Sequence, residues 1–148
     1  MVGSSAAARV QSALGRLLQR GNRVHLYGRL VDGVAGVDAT LYPVLSGLAR
    51  TGPASATELA AVIGLDRTAT TRYATRLQSA GLIARAPDPA DARATLLELT
   101  PAGRKAVARA RSNLTHVINE VLDDWPLAQA EQFAAALEDF VTRLESST

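Results

Sequence analysis

Between Gly52 and Gly103 the chain is punctuated so closely that few folds can accommodate it. Gly52-Pro53 breaks whatever precedes it. Ser55 followed three residues later by Glu58 reads as a capping box that opens a short helix, and Gly64 closes that helix. Asp66 is the expected N-cap of a second helix, in which Tyr73 and Leu77 face inward four residues apart and Gly81 is the C′ residue. Two short helices joined by a tight, glycine-containing turn make a helix-turn-helix. "LIARAP" and "ATLLELT" then flank the polar "DPADAR" and read as the strands of a hairpin. Thr100 with Pro101 starts another helix immediately. A hairpin directly after a helix-turn-helix is a wing.

The flanks are helical and apolar on one side. Val10, Leu14, Leu17, Leu18, Val24 and Val31 recur at helical spacing and predict one long helix over 6–31, ended by Gly33 and Gly36. Asp38 is a candidate N-cap for a helix through Arg50, in which Pro43 demands a kink or a true start near Tyr42. After the hairpin, a long helix carries Val107, Leu114, Val117, Ile118, Val121 and Leu122 until Trp125-Pro126 breaks it. The last helix has a near-heptad seam at Phe133, Leu137, Phe140 and Leu144. The expected fold is therefore mainly α with a small β-hairpin wing, a winged helix-turn-helix flanked by long dimerisation helices. We expect one domain over 1–148, with a winged helix-turn-helix lobe at 38–100 and helical dimerisation regions at 6–33 and 101–146. Apolar stripes too long for so small a centre imply burial against a second subunit, hence a homodimer.

Composition narrows the function. There is no cysteine, so the chain itself forms no disulfide and senses no oxidant through a thiol. Two distant histidines do not make a zinc site, and no metal or cofactor is expected. The sequence has no apolar run near the length of a membrane span and no apolar leader, which predicts a cytoplasmic protein without a membrane partner. No Gly-rich phosphate loop, paired carboxylates or nucleophile–histidine arrangement supports an enzyme. Fifteen of the sixteen basic residues are arginine, whose planar fork suits phosphates and guanine edges. The charge is uneven: residues 1–37 hold five arginines and one acid, whereas 106–148 hold three arginines and seven acids.

The order of elements, with "TELAAVIGL", "TRYATRLQSAGLIAR" and the series Asp91, Arg93, Leu97, Leu99, Thr100 and Gly103, resembles the MarR family of transcriptional regulators over roughly residues 10–145. The wing series and the helix start behind it are the specific part. One departure is at the wing tip, where Ala90 and Ala92 stand in place of additional arginines. The resemblance implies a homodimeric repressor on a pseudo-palindromic double-stranded DNA operator. It also implies that Arg93 probes the minor groove while Asp91 braces it or an arginine of the recognition helix. A small aromatic or phenolic effector would bind between the dimer helices and the DNA-binding lobe, with His25, Tyr27, Arg29 and Tyr42 as candidate liners.

The recognition helix can be read from its residues. Its outward face is expected to carry Arg67, Thr68, Thr70, Thr71, Arg72, Thr75 and Arg76. Hydroxyls near a helix N-terminus reach phosphates, and Arg72 is long enough to fork onto a guanine. Arg76 is expected to contact phosphate or the wing. The alternative is a winged-helix module that binds protein and not DNA.

Overall fold

The computed structural model describes residues 4–148, which divide into two compact units, one ending at Leu114 and the other Thr115–Thr148. In the first unit the expected N-terminal helix is two helices, α1 (Ser4–Leu17) and α2 (Arg20–Leu30). Gln19 is extended (φ −58°, ψ 136°), and the Asn22 side chain donates to the carbonyl of Arg16, one of the groups that the end of α1 leaves without a helical partner. Gly15 and Gly21 on either side weaken helix continuity, so the local cap prevails over the apolar periodicity.

Helix α3 (Tyr42–Thr51) carries Pro43 in its first turn, where no N–H is needed. Asp38 lies upstream of this helix: its Oδ1 accepts the Leu41 N–H at 2.9 Å and tightens the turn leading into it. Helix α4 (Ala56–Ile63) has both halves of the Ser55–Glu58 capping box, and Gly64 (φ 70°) ends it in the left-handed conformation that glycine adopts without strain. Helix α5 (Arg67–Ser79) is capped by Asp66 Oδ1 accepting the Ala69 N–H at 2.7 Å. Replacing Asp66 with alanine should cost about 1 kcal/mol, read as a lower denaturant midpoint with an unchanged slope.

Strands β1 (Ile83–Asp88) and β2 (Asp91–Leu99) pair antiparallel, with Ile83 opposite Leu99 and a register irregularity at Pro87/Asp88. Ala54 adds a single-residue third strand, exchanging two backbone hydrogen bonds with Leu97. This tie anchors the wing to the segment between α3 and α4. The core of the lobe is Val44, Leu45, Leu48, Leu59, Leu77 and Ile83, all essentially inaccessible to solvent. Each side chain of this size contributes about 1.5–3 kcal/mol on burial, so this cluster fixes how α5 and the wing are presented.

Helix α6 (Pro101–Leu122) begins on Thr100, whose hydroxyl accepts the Gly103 N–H at 3.0 Å. Asn113 on α6 donates to the carbonyls of Leu30 and Asp32, closing the end of α2. The second unit contains α7 (Leu127–Ser146), at whose start Trp125 meets Phe133 edge to face with ring centroids 5.4 Å apart. Phe133, Leu137, Val141 and Leu144 of α7 are all more than two-fifths exposed, as are Val10, Leu17 and Val24 in the first unit.

Candidate nucleic-acid interface

Helix α5 buries one side and exposes the other. Thr70, Ala74 and Leu77 form the inner row at i, i+4 and i+7, and Tyr73 packs partly buried beside them. Thr70 does not face outward as its polarity predicts. Its side chain is completely buried, and its hydroxyl donates to the Asp66 carbonyl at 2.8 Å. A threonine fits this inner row because the backbone acceptor four residues back satisfies its hydroxyl.

Arg67, Thr68, Thr71, Arg72, Thr75 and Arg76 are exposed, as read from the sequence. The Arg72 guanidinium lies 5.1 Å from the centroid of the Tyr73 ring, a cation–π distance. Thr75 donates to the Thr71 carbonyl at 3.0 Å. Arg76 pairs within the protein with the segment before α3 and not with the wing: its Nη2 is 3.2 Å from Asp38 Oδ2.

At the wing tip two aspartates shape the backbone. Asp88 Oδ1 accepts the Ala90 N–H at 2.9 Å, and Asp91 Oδ1 accepts the Arg93 N–H at 3.0 Å. These Asx turns account for both acids in "DPADAR". Asp91 therefore braces Arg93 through its main chain, leaving the guanidinium exposed for other partners.

Recognition helix and wing meet in one cleft of about 410 Å³. Arg67 and Thr71 of α5, Arg85 of β1 and Arg93 of β2 line it together with Ser55 and Thr57 at the start of α4, and its lining contains no acidic residue. Arg85 is not among the residues that the sequence singles out. It reaches from β1 to α5, donating to Gln78 Oε1 and, at 3.0 Å, to Thr75 Oγ1. Its only sequence signal is an arginine within an otherwise apolar strand, "LIARAP". Three arginines with hydroxyls line this cleft beside the start of α5, a composition suited to anions.

Of the candidate effector residues, Tyr27 and Tyr42 come together, with ring centroids 5.0 Å apart and planes tilted by 52°. His25 and Arg29 are exposed and share a face of α2 one turn apart, whereas His25 and Tyr27, two residues apart, do not. Among the described residues no cluster of side chains could hold a metal ion, and no helix is long and apolar enough to cross a membrane.

A helix-turn-helix whose second helix and wing share an arginine-lined cleft defines a winged-helix DNA-binding protein. Residues 38–95 match the model described as the MarR family. A Thauera aromatica protein named as a putative transcriptional regulatory protein for the hcr operon is 29% identical over 128 residues, covering 85% of this chain and 70% of that protein. A MarR family protein from Bacillus stearothermophilus superposes with a TM-score of 0.80 at 16% identity, over 98% of this chain and 99% of the other. Wild-type MarR from E. coli in its apo form gives a TM-score of 0.70 at 22% identity, over 86% of this chain and 96% of the other. The segment over 38–95 thus matches the MarR family, the whole chain shares the fold of MarR-family structures, and the relative from Thauera aromatica is named as a transcriptional regulator.

Proposed function

We propose that the chain is a homodimeric repressor that holds a pseudo-palindromic operator and releases it when a small aromatic or phenolic effector binds. The observation that carries this reading is the cleft shared by Arg67, Thr71, Arg85 and Arg93, because it joins recognition helix and wing in one acid-free, cationic surface. In this reading Arg72 forks onto a base edge in the major groove, Thr68 and Thr71 hold phosphates, and Arg93, set by Asp91, enters the minor groove. Thr70 has no part in contacting DNA. The lobe over 38–100 reads DNA, and 6–33 with 101–146 dimerise.

The dimer is supported by the exposed apolar side chains on α1, α2 and α7 and by opposite charge at the two ends of the sequence. Apolar stripes of this extent gain by mutual burial, and an arginine-rich segment complements an acidic one. The Tyr27–Tyr42 pair supports an aromatic effector beside it, because stacked or edge-on rings hold another ring well. His25 and Arg29 lie on the same helix and could orient a phenol or carboxylate of that effector.

Two readouts test the assembly. Light scattering at micromolar concentration should give twice the chain mass of 15.5 kDa. Selection from a random duplex pool should return a pseudo-palindrome with half-sites about 10 bp apart, the spacing that two recognition helices on successive major grooves require. A monomer mass, or selected sites without two-fold symmetry, would overturn the dimeric reading.

A further inference from the structure

Arg76 stands on α5 one turn beyond Arg72, on the face that the proposed function assigns to DNA. Its partner, Asp38, comes 38 residues earlier in the chain. The two oxygens of that carboxylate have separate tasks. Oδ1 is held by the Leu41 N–H at 2.9 Å, which fixes the side chain in the turn before α3. Oδ2 alone is offered to Arg76, at 3.2 Å from Nη2. The pair is thus single-pronged, and both side chains are about half exposed, at 54% and 52%. Exposed ion pairs of this kind change an equilibrium by roughly fivefold at most. A DNA phosphate can take the guanidinium through two parallel hydrogen bonds, and its engagement releases condensed counterions.

We propose that Asp38 is an internal stand-in for a DNA phosphate. It keeps Arg76 oriented in the free protein and yields it to the backbone phosphate when a duplex arrives. The exchange weakens DNA binding in two ways: the internal pair must open, and the Asp38 charge then faces the duplex without its cation. Asp38 therefore tempers the affinity of the recognition helix without touching DNA itself. The inference rests on the reading that the exposed face of α5 meets DNA.

A phosphate contact carries no sequence information, so the test does not depend on the operator. Binding of a mixed-sequence DNA duplex is titrated at low and moderate salt for the full-length wild type, Asp38→Asn, Arg76→Gln and the double variant. Asparagine retains an oxygen for the Leu41 N–H, so the turn is preserved; Asp38→Ser, which also offers an oxygen, provides a second neutral variant. Asp38→Asn and Asp38→Ser should each bind roughly three- to fivefold tighter than wild type, the scale of a surface ion pair. In the Arg76→Gln background the Asp38→Asn change should shift affinity by less than about twofold, because only long-range repulsion remains to be removed. Equal gains in both backgrounds, or no gain in either, would overturn the proposal while leaving salt-dependent DNA binding intact. Absence of salt-dependent duplex binding by the wild type itself would instead remove the underlying reading, and this proposal with it.

Discussion

Gly103→Ala should destabilise the protein by about 3 kcal/mol or more, near the upper end of the usual cost of overpacking. A Cβ built on Gly103 would lie 2.0 Å from the carbonyl oxygen of Leu82 and 3.3 Å from Leu99 Cδ2. That carbonyl cannot yield easily, since it accepts the Thr100 N–H at 3.0 Å. The Thr100 hydroxyl in turn donates to the Gly81 carbonyl at 2.6 Å and accepts from Gly103. The start of α6 is thus riveted to the end of the recognition helix, and glycine is the residue that permits the approach. For a chain of this size the destabilisation should lower the thermal midpoint by about 6–12 °C. Gly47→Ala is the comparison: there the new atom would meet Ile63 Cγ2 at 2.5 Å and Leu59 Cδ1 at 3.0 Å, which are side-chain atoms and not a hydrogen-bonded backbone carbonyl. Gly103→Ala should therefore melt lower than Gly47→Ala, and the reverse order would contradict the rivet.

Removing either arginine proposed to face DNA should cost about 1–3 kcal/mol of binding, with different signatures. Arg72→Ala should flatten discrimination at one base position in each half-site, because alanine cannot fork onto a guanine. Arg93→Ala should weaken binding and lower the salt slope by roughly one unit for each phosphate that the variant no longer neutralises. Its sequence effect should be confined to the A·T preference of the flanks, since the minor groove distinguishes little more than A·T from G·C. Neither change should alter helical content, because both side chains are exposed. Titration over a panel of single-base operator changes at two salt concentrations separates the two. Unchanged affinity of Arg93→Ala on A·T-rich flanks would reduce the wing to a structural hairpin.

Features governed by neighbours in sequence are legible without the fold. The Ser55–Glu58 box, the Asp66 cap, the Gly64 and Gly81 stops and the hairpin all follow from local backbone chemistry. Pro43 calls for a kink or a late start, and α3 takes the second course, starting at Tyr42. The break between α1 and α2 escapes because it depends on one side chain, Asn22, taking a carbonyl six residues back, while the apolar spacing runs on through it. Polarity alone puts Thr70 outside, although it shares the inner row of Ala74 and Leu77; that row is the better signal. Pairings between separate elements leave no trace in local patterns. The Ala54–Leu97 bridge, the Arg85 link to Gln78 and Thr75, and the Asp38–Arg76 pair join residues that only the fold brings together.

The central claim is that the arginine-lined face of α5 and the wing is a surface for DNA phosphates and base edges. The dependence of duplex binding on salt tests it most directly, measured with wild-type protein on the duplex returned by selection. Each neutralised phosphate contributes a slope of about −0.9 to the log–log plot. In the proposed dimer, two copies of this face, engaging several phosphates between them, should lose at least about a hundredfold in affinity between roughly 50 and 200 mM salt. A flat line, or no measurable duplex binding at the lower salt, would contradict the account.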